Sequence, residues 1–231
     1  MNDKQRRSYE RGQRAYVYMN AATTDFPLGS RGGALRDSLQ ELLAQAAALD
    51  VARGASAGKR RQGTEGRVTA RTTLRQMVKI AWDTYKTLTL DRPDIKGLFE
   101  PPSKIKNDQA LVAAARAYAD ASVPHASLFA EYGLATAFFN DLRTQADRLE
   151  AQTALRDAGV GEGVNANAAL DETLRRIDEE VERLDTVVRN RYRDDPAKLA
   201  EWESASRLEH APRRKPKDDE NAPPPPPPAN G

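Results

Sequence analysis

The sequence predicts an all-α protein: an antiparallel four-helix bundle with shorter accessory helices and a disordered, Pro-rich C-terminal tail. Two heptad runs carry most of that expectation. Leu170, Leu174, Ile177, Val181, Leu184 and Val188 alternate steps of four and three, and Leu35, Leu39, Leu42, Ala46 and Leu49 do the same. A repeat near 3.5 residues keeps one apolar stripe against a partner helix. The other support is compositional: 30% of residues are charged and only 6% aromatic, and alternating strand patterns are missing, which fits helices and argues against a sandwich or barrel.

The elements follow in chain order from proline, glycine and the apolar stripes. The charged start carries Arg7, Arg11 and Arg14 with Tyr9, Tyr16 and Tyr18 among them and reads as an N-terminal helix. Gly29, Gly32 and Gly33 then mark a loop, since glycine weakens helix interiors and favours turns. A helix is expected over about 34–53. Gly54, Gly58, Gly63 and Gly66 punctuate the pattern and predict a loop before a second helix over about 67–90, whose stripe is Leu74, Met77, Val78, Ala81, Tyr85 and Leu88. Asp91-Arg92-Pro93-Asp94 stops it.

Residues 95–106, with Pro101-Pro102, read as an ordered connection, and Asn107 as the cap of the next helix. Its face is Leu111, Val112, Ala115 and Tyr118. Val123-Pro124 predicts a kink, or a restart capped by Ser122. A further helix, with Phe138, Leu142, Ala146 and Leu149 inward, is expected to run to about 157. The glycines at 159, 161 and 163 place a loop over 158–167, before the heptad helix over 168–192. Pro196 opens a short last helix with Leu199 and Trp202.

The domain reading is one helical-bundle domain over residues 1–208, with a charged, proline-rich tail over 209–231. Halves 1–92 and 105–195 share an order of elements, and Arg14-Ala15-Tyr16 matches Arg116-Ala117-Tyr118; a duplication is one reading and coincidence the other. In the tail, Arg213-Arg214-Lys215-Pro216-Lys217 precedes Asp218-Asp219-Glu220 and the run Pro223, Pro224, Pro225, Pro226, Pro227 and Pro228. Polyproline is extended and buries no core. It serves as a spacer or docks in an aromatic groove of a proline-recognition module.

Several chemistries are excluded by residue type. The chain has no cysteine, which removes disulfides, thiolate metal sites and cysteine nucleophiles. Its two histidines, His125 and His210, sit in no metal-binding spacing, so a di-iron bundle is unsupported. Gly54-Ala55-Ser56-Ala57-Gly58-Lys59 resembles a phosphate loop, but it is one residue short, ends in Arg60 where Ser or Thr belongs and follows no strand. Residues 157–168 lack oxygen ligands at calcium-loop positions. The expectation is therefore a non-enzymatic protein with no catalytic, cofactor-binding or metal-binding residues and no cofactor. No run suits a spanning helix and the start does not resemble a signal peptide, so a cytoplasmic protein without membrane insertion is expected. Arginine and alanine usage suggests a bacterium of high genomic GC content.

With 36 Lys and Arg against 34 Asp and Glu, net charge steers nothing globally. Local charge is different. Arg67, Arg71, Arg75 and Lys79 recur every four residues, and Arg53, Lys59, Arg60 and Arg61 precede them, with Glu65 the only acid between 53 and 79. This patch predicts one of three things: pairing with the acidic helix bearing Asp171, Glu172, Asp178, Glu179, Glu180, Glu182 and Asp185, an acidic partner protein, or a phosphate track on nucleic acid. Internal pairing is favoured. The function expected is surface recognition of a protein partner or self-association; the alternatives are nucleic-acid association through the basic stripe, and an enzyme or ligand binder with an inter-helix pocket.

Overall fold

The computed structural model describes residues 1–209, and the described residues are helical with no strand. The polyproline run and His210 lie outside them. In order, the helices are α1 (Asp3–Ala21), α2 (Arg31–Asp91), α3 (Asp108–Ser122), α4 (Ala126–Glu131), α5 (Thr136–Arg191) and α6 (Pro196–Ser206), with single 3₁₀ turns at Pro93–Ile95, Pro102–Lys104 and Val123–His125.

Several boundaries are set by local chemistry. Asn2 and Gln5 form a reciprocal capping box on α1, each side chain meeting the other's backbone N–H at 2.9 Å. Asn107 caps α3 as expected, its Oδ1 accepting from Ala110 N at 2.8 Å, and Asp195 caps α6 ahead of Pro196. The break at Val123-Pro124 is present, but Ser122 caps nothing: its hydroxyl donates back to Ala119 O at 2.8 Å. Gly133, at φ +86°, then supplies the left-handed residue that separates α4 from α5.

Two expected loops are absent. Residues 54–66 lie inside the 61-residue α2, and residues 158–167 lie inside the 56-residue α5. The buried positions nevertheless keep a seven-residue spacing through the glycines, at Ser56, Gly63 and Ala70. Hydrophobicity lapses there while the period does not. Interior glycine costs about 1 kcal/mol against alanine, and the compensation is close approach. A Cβ on Gly63 would lie 2.5 Å from Arg156 N, and one on Gly159 would lie 2.7 Å from Arg60 N and 2.9 Å from Ser56 O. Gly66 likewise faces Gln152, and Lys59 faces Glu162, so α2 and α5 run in opposite directions along this stretch.

The chain divides into two compact units, Met1–Gln40 with the residues from Ile177 onward, and Glu41–Arg176. In the first, Leu35, Leu39, Ile177, Val181, Leu184 and Val188 are buried as their heptads require. Trp202 of α6 is fully buried, with its ring 5.3 Å from Tyr18 and its Nε1 donating to Asp185 at 2.8 Å. Tyr192 meets Phe26 edge-on.

In the second unit, Leu74, Val78, Tyr85 and Leu88 of α2 pack with Leu111, Val112 and Tyr118 of α3, and with Leu142, Ala146 and Leu149 of α5. Phe139, rather than the expected Phe138, is the buried aromatic at the start of α5. Phe99 stacks on Tyr118 at 4.0 Å and lies 4.7 Å from Tyr85. The Tyr85 hydroxyl donates to Ile95 O at 3.0 Å and accepts from Gly97 N at 2.6 Å and Leu98 N at 3.0 Å. One side chain thereby fixes the start of the proline-containing connection.

Candidate interaction surface

α2 places the basic patch, and the second unit decides which of its charges remain open. Arg67 and Arg71 lie one turn apart, and both turn to Asp108 at the start of α3. Arg67 Nε donates to Asp108 Oδ2 at 2.8 Å and Arg71 Nη2 to the same oxygen at 2.7 Å. Asp108 is largely buried, with 15% of its side chain exposed. The hydrogen bond from Arg71, followed by that from Arg67, holds its carboxyl below the ordinary carboxylate range against the opposing effect of burial.

Further along α2, Arg53 pairs with Asp50 at 2.8 Å and Lys59 reaches both oxygens of Glu162 at 2.9 Å. Arg60, Arg61, Arg75 and Lys79 are exposed and have no ion-pair partner among the described residues. The eight patch residues therefore split into four engaged and four open.

The favoured expectation, pairing of the stripe with the acidic helix, is not what the structure holds. Five of those seven acids have other partners: Glu172 meets Arg175, Asp178 meets Arg11, Glu179 and Glu180 meet Arg183, and Asp185 meets Arg189 and Trp202. Arginines three or four residues away on one helix reach a carboxylate with little ordering cost. The N-terminal arginines are likewise occupied. Arg11 Nε donates to Ser206 O at 2.7 Å and Arg14 Nη2 to Arg207 O at 2.7 Å, so they tie α1 to the end of α6.

The open pair Arg75 and Lys79 borders a groove of about 340 Å³ whose other walls are Val78, Pro102, Ile105 and Leu111. Two exposed cations thus edge an apolar floor contributed by α2, α3 and the connection between them. A second groove of about 510 Å³ follows the glycine-containing seam, where Arg53, Ser56, Arg60 and Asn167 meet Val160 and Val164. Both valines are substantially exposed, at 43% and 63%.

Of the two histidines, His125 lies among the described residues. His125 is half-buried at the start of α4 and makes no capping bond. No group of three or more His, Cys, Asp or Glu among them is placed to hold a metal ion. No helix among them is long and apolar enough to cross a membrane.

Three members of these sites carry no functional signal in the sequence. Asp108 was legible as a first-turn acid beside the Asn107 cap, but nothing local marks it as the partner of arginines 41 and 37 residues away. Pro102 and Ile105 gave only a loop signal, because the groove they floor exists only once the connection is folded back. No family model matches the chain, and neither the curated proteins nor the solved structures compared with it give a match.

Proposed function

We propose that this is a non-enzymatic, cytoplasmic bacterial protein that acts by surface recognition, taking an acidic protein segment on the Arg75 and Lys79 face of α2. The supporting observation is the division of the basic stripe. A phosphate track needs consecutive cations free to neutralise successive charges. Here Asp108 takes two of the four stripe residues, and the two left open flank an apolar groove. Paired cations around an apolar floor fit carboxylates flanking an aliphatic or aromatic side chain, as on an amphipathic peptide. The scaffold in this reading is an antiparallel four-helix bundle with accessory helices, one domain over residues 1–208. The second reading, nucleic-acid association, draws on Arg60 and Arg61, which are also open.

A photo-reactive side chain in place of Ile105, irradiated in living cells, is expected to give protein adducts that disappear when Arg75 and Lys79 are both changed to Glu. Nucleic-acid adducts, or protein adducts indifferent to the reversal, would contradict the reading.

A further inference from the structure

The first unit holds a polar groove that the proposed recognition surface does not use. It measures about 330 Å³ and lies where α1, the α1–α2 connection and α2 meet. At its base is Arg36, an arginine 93% buried. Its Nε and Nη2 both donate to one oxygen of the adjacent Asp37, at 2.9 and 2.7 Å. Nη1 has no hydrogen-bond partner among the described residues and is not fully enclosed, which leaves one edge of the guanidinium fork open to an acceptor. Around the groove stand the hydroxyls of Tyr16 and Thr23 and the amides of Asn20 and Gln40, and these side chains too make no hydrogen bond within the described residues. Pro27 and Leu28, the latter 81% exposed, form an apolar wall.

We infer that this groove binds a small organic carboxylate bearing hydroxyl groups, with the carboxylate on the open edge of Arg36 and the hydroxyls on Asn20, Gln40, Tyr16 and Thr23. Charge selects the class. Arg36 and Asp37 cancel, so the site as a whole is neutral and the Asp37 carboxylate, about half exposed, opposes a phosphate dianion. A monoanionic planar carboxylate matches the guanidinium fork while adding one charge only. The neutral amides and hydroxyls have the donor and acceptor character of vicinal alcohols, and the volume admits a molecule of roughly metabolite size.

The test is a titration of the full chain with D-gluconate, followed through side-chain NMR resonances of Arg36, Asn20 and Gln40. D-sorbitol and inorganic phosphate serve as controls. Gluconate is expected to shift these resonances saturably, with a Kd no weaker than the millimolar range, and the controls are expected to leave them in place. Asn20→Ala with Gln40→Ala, which removes rim groups without disturbing the buried arginine, should weaken gluconate roughly tenfold. Arg36→Lys, which keeps the charge and loses the fork, should weaken it at least as much while near-ultraviolet circular dichroism reports the fold. Unmoved resonances with gluconate, equal shifts with sorbitol or phosphate, or an undiminished affinity in the rim variant would each overturn the assignment.

Discussion

Individual glycines show how one residue type serves two purposes in the long helices. Gly63 and Gly159 sit where a methyl group would strike the opposing backbone, whereas Gly54, Gly58 and Gly161 have nothing within 4 Å. Ala at either of the first two should destabilise by about 1–3 kcal/mol, because overpacking against backbone outweighs the helix-propensity gain. Ala at Gly54 or Gly58 should instead stabilise by up to about 1 kcal/mol. Urea denaturation of the four single variants checks both signs. Asp25 gives a second residue-scale expectation. Hydrogen bonds from Tyr192 and Lys198, with help from Arg191, hold its pKa at about 2, below the ordinary 3.8. A depressed carboxylate stabilises fully above its unfolded value and loses that contribution as pH falls from about 3.8 through about 2. Asp25→Asn should therefore flatten the acid limb of the stability profile, measured as the urea midpoint against pH, and leave the curve above pH 5 parallel to wild type.

Among the helices, the heptads were the most legible feature, and each large apolar residue of the 170–188 run is buried. Ile177→Ala or Leu184→Ala should cost on the order of 2–5 kcal/mol, read by the same denaturation; a near-neutral value would mean that the seam is not packed. The glycine-rich stretches resemble loops in the sequence because their hydrophobicity lapses and glycine is frequent. The informative quantity is the seven-residue spacing of small buried residues, Ser56, Gly63 and Ala70, along a stretch where close approach takes the place of large apolar side chains. Pairing across elements was less legible still. Arg67 and Arg71 were identified as a stripe, while Asp108 became their partner only through the packing of α3 on α2. Asp108→Asn should cost about 1–2 kcal/mol, since both arginines are partly solvated. It should also lengthen the run of open cations on α2 from two to four, so any weak affinity for a DNA duplex should rise in this variant rather than fall.

For the molecule as a whole, a net charge of +2 leaves recognition to local arrangements, and the arrangement differs from the one that spacing implied. Most arginines that look free in the sequence are used inside their own unit: Arg11 and Arg14 on the chain end after α6, Arg67 and Arg71 on Asp108, Arg175, Arg183 and Arg189 on neighbouring acids. Among the described residues of the basic patch, Arg60 stays open beside Val160 and Val164, and Arg75 and Lys79 together flank one apolar floor; the proposed function rests on that second pair. Its most direct test is a pair of anisotropy titrations on the same protein at low salt, one with a labelled peptide of Glu and Leu in helical spacing and one with a labelled generic DNA duplex. The peptide is expected to bind wild type and to weaken at least roughly tenfold in the Arg75→Glu, Lys79→Glu variant, a loss in keeping with two charge-assisted contacts, while the duplex gives no saturable signal. Duplex binding that falls steeply with added salt and is lost when Arg60, Arg61, Arg75 and Lys79 are reversed, with no binding of the peptide, would contradict the account.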